Sequence, residues 1–87
     1  MQVRYTAMIS RLAQEFPEAR HEFWPQTLTR WMATLDIRPV RKGWYDEEDY
    51  QGLQALGEAY RRHQLRGQDA LDYVAQRIDT WRNRNGY

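Results

Sequence analysis

The sequence predicts a small, all-α, mainly helical domain. Four stretches carry apolar residues at helical spacing, and the breaks between them hold proline, glycine or polar connectors. Only one short segment, around residues 37–45, favours strand. At 87 residues the chain fits one domain, expected to span 1–82, with 83–87 as a disordered tail.

The first helical pattern covers about Val3 to Glu15. Tyr5, Met8, Ile9, Leu12, Ala13 and Phe16 fall on one stripe, and Pro17 stops it. Residues 17–23 are expected to form a short helical turn. The second helix is expected over 25–35, with Pro25 in its first turn and Leu28, Trp31, Met32 and Leu35 facing the core. Its opposite face carries Gln26, Thr27, Thr29, Arg30 and Thr34.

The run from Asp36 to Tyr45 is broken by Pro39 and Gly43 and rich in strand-friendly Ile37, Val40, Trp44 and Tyr45. A short irregular hairpin turning near Lys42 and Gly43 is expected. The third helix should begin after Asp46 as N-cap, with Glu47, Glu48 and Asp49 suiting the positive end of its dipole. Tyr50, Leu53, Leu56, Ala59 and Tyr60 form its stripe, and it should end near His63. The fourth is expected over 68–81, on Leu71, Val74, Ala75, Ile78 and Trp81.

Composition narrows the function classes. A chain this short buries roughly 60–65% of its unfolded surface, and it has no cysteine to add a disulfide. Four Trp, six Tyr and two Phe supply large rings for a small core. The missing thiols also remove every Cys-based zinc site. The start, Met-Gln-Val-Arg-Tyr-Thr, has no apolar signal region, and no apolar run approaches the ~20 residues of a membrane span. A cytoplasmic location is expected.

There is no glycine-rich phosphate loop, dinucleotide fingerprint or nucleophile elbow. His21 and His63 lie far apart in sequence, and the acids at 46–49 lack the spacing of a calcium loop. Neither catalysis nor a metal or other cofactor is expected.

The formal net charge is +1, from 13 basic and 12 acidic residues, and all the basic ones except Lys42 are arginine. Arginine's planar fork suits phosphates, carboxylates and guanine edges. Charge is also unevenly placed, with Arg38, Arg41 and Lys42 followed, after Gly43-Trp44-Tyr45, by the four acids 46–49. A helix about 10–12 Å across fits the DNA major groove. There, Arg30 can pair with a guanine and Gln26 with an adenine, while Thr27 and Thr29 meet a phosphate or a thymine methyl. Arg38, Arg41 and Lys42 would then meet the backbone and fix register.

The run from Trp31 to Leu53, WMATLDIRPVRKGWYDEEDYQGL, resembles the MerR-type and excisionase-type winged helix-turn-helix domains. The shared pattern is a helix ending in Leu-x-Ile-x-Pro, a basic wing, a tyrosine and an acid-capped helix start. The later LRGQDALDYVAQ is similar to the fourth helix of those domains. The resemblance covers about residues 5–80. It departs in the longer connector from Pro17 to Trp24, in the short wing, and in the lack of a following dimerisation helix.

The resemblance implies a four-helix winged helix-turn-helix with its wing at about 38–45. It also implies a sequence-specific partner of double-stranded DNA, a transcriptional regulator or recombination accessory factor. Such a domain acts as a homodimer or with another protein of its complex. The alternative is an adaptor that keeps the scaffold and turns its basic segment toward an acidic protein. The near-neutral net charge and the acids at 46–49, 69 and 72 are the cues for it.

Overall fold

A computed structural model describes residues 1–18 and 24–86. The chain opens with a strand. β1 (Gln2–Arg4) pairs antiparallel with β2 (Trp44–Asp46), in the register Gln2↔Asp46, Val3↔Tyr45, Arg4↔Trp44. The helices are α1 (Tyr5–Glu15), α2 (Trp24–Thr34), α3 (Glu47–Arg61) and α4 (Gly67–Arg84). The mainly helical expectation therefore holds for the described residues, with one two-stranded sheet added.

β1 corrects the expected start of the first helix. Gln2, Val3 and Arg4 are exposed, buried and exposed in turn, which is the period of a strand. Three residues are too few to separate that alternation from a helix start by sequence. α1 then buries Met8, Leu12 and Ala13, with Phe16 just past its end. Most of the expected turn over 17–23, including His21, lies outside the described residues.

α2 is held by a ladder of rings. Phe16 meets Trp24 at 6.3 Å, Trp24 meets Trp31 edge-on at 5.6 Å and 88°, and Trp31 meets Tyr60 at 5.9 Å. Each such pair adds on the order of 0.5–1.5 kcal/mol to the burial of its rings. The ladder ties α2 to the end of α1 and to the last turn of α3. Gly57 makes room for it, because a Cβ there would lie 2.7 Å from the Phe16 ring. α2 closes with Asp36 in the left-handed region (φ 52°), and the Ile37 N–H donates to the Met32 carbonyl at 2.9 Å.

α3 is the central helix, burying Tyr50, Leu53, Leu56 and Ala59 together with Gly52, Ala55 and Gly57. Asp46 has the extended backbone of an N-cap, but its side chain makes no capping bond. The Glu47 N–H donates instead to the Met1 carbonyl at 3.0 Å, so the start of the chain helps to satisfy the start of α3.

α4 packs along α3 through Ala70, Tyr73, Val74 and Ile78. Ala75, expected inside, is exposed, and Ala70 takes the inner position. The helix also passes its expected end. Asn83 and Arg84, assigned to the tail from sequence, are helical, and the bond from Arg82 to Glu48 ties this last stretch to α3. Among the described residues no helix is long and apolar enough to cross a membrane.

Candidate nucleic-acid interface

α2 presents one face away from the core. Trp24, Leu28 and Trp31 point inward, while Gln26, Thr29, Arg30 and Ala33 are exposed. Arg30 has no carboxylate partner among the described residues. The Thr29 hydroxyl donates to the Pro25 carbonyl at 2.9 Å, which leaves its lone pairs and methyl to face outward.

Thr27 corrects the sequence expectation. It is only 9% exposed and lies on the flank of α2, where it lines a groove with Tyr60 and Arg61. One residue is 100° of rotation on a helix, so Thr27 turns from the outer face that Gln26 occupies toward α3. Its burial sets it apart from the exposed Gln26, Thr29 and Arg30.

The segment expected as a wing is a tight turn closed by the sheet. The Trp44 N–H donates to the Arg41 carbonyl and the Val40 N–H to the Trp44 carbonyl, both at 2.9 Å. Gly43 sits in this turn at φ 79°, a conformation that costs a side chain bearing Cβ about 1 kcal/mol or more. The strand after the turn does not form a regular hairpin with the residues before it. Beyond the single Arg41↔Trp44 bridge, its ladder partner is β1. The Tyr5 N–H donates to the Gly43 carbonyl at 3.0 Å and fixes the turn to the start of α1.

Trp44 organises the charge at this turn. The Arg41 guanidinium lies 4.7 Å from its ring centroid and that of Arg4 lies 4.9 Å away. Arg4 falls inside the stretch that the sequence predicts as helix, and the three-residue Gln-Val-Arg alternation is too short to mark it as strand. Arg38 and Lys42 are exposed. Arg38 approaches Asp36 at 3.6 Å, with both side chains about 85% exposed, so this pair holds little energy.

The acids behave differently. Arg11 donates to both oxygens of Glu47, Arg82 binds Glu48, Arg62 binds Glu15, and Arg77 and Tyr73 bind Glu58. Burial pushes the Glu47 carboxyl up, but Arg11, Gln51 and the chain's ammonium together hold it below its ordinary value. Asp49 shifts the other way: burial raises it first, then the neighbouring Asp46 and Glu48. Glu47 and Glu48 also sit at the opposite end of α3 from Tyr60 and Arg61, about 20 Å along the axis. His63 lies against Tyr73 with ring centroids at 5.0 Å.

Neither family models, curated proteins nor solved structures give a match to this chain. Arg4, Arg30, Arg41 and Lys42 are exposed cations without a carboxylate partner among the described residues, while Glu15, Glu47, Glu48 and Glu58 are ion-paired and Asp46, Asp69, Asp72 and Asp79 are exposed. A helix with a short polar face and a tight basic turn are both fixed to one aromatic core.

Proposed function

We propose that this protein binds double-stranded DNA as a small winged helix-turn-helix. α2 enters the major groove and the turn at 38–45 lies on the phosphate backbone. The observation that carries this reading is the exposure of Gln26, Thr29 and Arg30 on a helix pinned by the Phe16–Trp24–Trp31–Tyr60 ladder. Rigid placement matters, because a bidentate contact from Arg30 to guanine discriminates only when its helix cannot tilt. The two guanidiniums on Trp44, with Lys42 and Arg38, supply the sequence-independent share of the affinity. The roles that fit are transcriptional regulator or recombination accessory factor, and one helix with one wing favours binding as a homodimer or beside a partner protein.

The adaptor reading draws less support. Of its cues, the near-neutral net charge and the exposed Asp46, Asp69 and Asp72 remain, but Glu47 and Glu48 at the centre of the acidic run are engaged by Arg11 and Arg82.

The test is a binding titration on a random-sequence duplex and on the site that the protein selects from a random pool. Arg41→Ala with Lys42→Ala should weaken binding to both. It should also make the slope of log affinity against log salt shallower by up to about 1.8, at ~0.9 per lost phosphate contact. Arg30→Ala should narrow the gap between the selected and the random duplex. Wild-type binding by both variants, or no binding by the wild type, would overturn the proposal.

A further inference from the structure

A second basic feature lies beside the exposed face of α2. Between α2, the end of α3 and the start of α4 runs a groove of about 500 Å³. Arg30, Arg61 and Arg66 line it together with Thr27, Thr34 and Gly67. No carboxylate lines it among the described residues, and none of the three arginines has an acidic partner there. Three guanidiniums around a small concave space repel one another unless an anion sits between them.

The floor of the groove is aromatic but offers no stacking platform. Trp31 is 8% exposed, the Arg61 guanidinium lies 5.9 Å from its ring centroid, and Arg66 lies 5.2 Å from that of Tyr60. A nucleobase or a planar ligand would have to displace these arginines. The Arg66 side chain is held further by its hydrogen bonds to the Tyr60 and Leu65 carbonyls, at 3.1 and 2.7 Å. Thr27, a residue only 9% exposed, lines the groove wall, and its hydroxyl makes no hydrogen bond among the described residues. It is a small neutral donor beside fixed positive charge, which suits a tetrahedral oxyanion better than a ring.

Position identifies the anion. Arg30 belongs both to the exposed face of α2 and to the groove, so the groove opens along the flank of the helix. When a helix lies in the roughly 12 Å wide major groove, its outer face meets base edges and its flanks meet the phosphates of the walls. We infer that the groove between α2 and the α3–α4 connection seats one DNA backbone phosphate, clamped by Arg61 and Arg66, while Arg30 at its rim reaches past it to the base edge. This rests on the DNA-binding reading and adds a second backbone anchor, separate from the turn at 38–45.

Binding to a labelled random-sequence duplex over a range of salt tests the clamp. Arg61→Gln with Arg66→Gln should weaken binding about tenfold or more at low salt. It should also make the salt slope shallower by about 0.9, the value for one phosphate. Arg61→Lys with Arg66→Lys should restore the slope, because an ammonium also neutralises a phosphate. Thr34→Glu places a carboxylate on the exposed rim without touching the core and should mimic the glutamine pair; it decides the matter if that pair unfolds. Unchanged affinity and slope in both, with the Arg41/Lys42 variant still impaired, would overturn the phosphate clamp and leave the DNA reading standing. A wild-type protein that ignores duplex DNA would overturn both.

Discussion

The Arg11 guanidinium donates one hydrogen bond to each carboxylate oxygen of Glu47, both at 2.9 Å. The same guanidinium lies 3.8 Å from the Tyr50 ring centroid. A side chain from the middle of α1 thus holds the first turn of α3, next to the strand that leads out of the basic turn. The pair is intermediate in exposure, with Arg11 at 41% and Glu47 at 15%. Replacing Arg11 by Ala should cost about 1–2 kcal/mol, between the values for exposed and buried pairs. Urea unfolding with an unchanged m-value would measure it.

The same pair sets a pH dependence. The folded-state pKa of Glu47 is lowered, so its contribution is present above the ordinary carboxylate value of 4.5 and is lost as pH falls through the lower folded value. The wild type should lose stability on acidification through that window, and Glu47→Gln should flatten this part of the curve. Thermal melts between neutral pH and pH ~3 would detect it.

Asp49 has the opposite sign. Its folded-state pKa is raised, so the stabilising effect of its protonation is fully present below the ordinary value of 3.8 and is lost as pH rises through the higher folded value. Asp49→Asn should therefore raise the melting temperature at neutral pH and leave it nearly unchanged in acid. A lower melting temperature for the variant at pH 7 would refute this account.

Two glycines of α3 should respond to alanine in opposite directions. At Gly57 the new Cβ would lie 2.7 Å from Phe16 and 3.1 Å from Trp31, both ring atoms of buried side chains. The overpacking should cost roughly 1–3 kcal/mol despite the better helix propensity. At Gly52 the nearest atom is Leu35 Cδ1 at 3.5 Å, an ordinary contact. There alanine should stabilise by about 0.5–1 kcal/mol, as in any helix interior. Chemical denaturation of both single variants tests the pair.

Thr27 separates packing from reading. Thr27→Ala should leave the selectivity of any DNA complex unchanged, whereas Gln26→Ala on the exposed face should reduce it. The comparison needs only the selected and the random duplex. A selectivity loss for Thr27→Ala would mean that the buried residue reaches a base.

Much of the helical fold was legible, because apolar spacing over eleven or more residues survives an error of one or two positions. The stripes of α1, α2 and α3 appear as expected. What escaped was short or non-local. Three residues of β1 look like a helix start until their partner strand, 44–46, is known. Ala70 and Ala75 are chemically the same, and only the tilt of α4 against α3 sends one inside. The site divides in the same way. Gln26, Thr29 and Arg30 follow from the face opposite Leu28 and Trp31. Arg4 and the Arg61–Arg66 wall do not, because they reach the surface beside α2 and the turn only through tertiary packing.

The antiparallel strand pair has a consequence for the order in which the molecule comes together and comes apart. α3 and α4 are sequence neighbours, so their pairing closes a short loop and should form early. The sheet joins the first residues of the chain to the middle, and only a few backbone bonds hold it. Amides of β1 and β2 should therefore exchange with solvent through openings that leave the α3–α4 hairpin intact. The basic turn rides on this least protected piece, so its backbone can loosen and re-form while the helix proposed to read DNA stays in place. Contact with a phosphate surface would slow that exchange first at Tyr45.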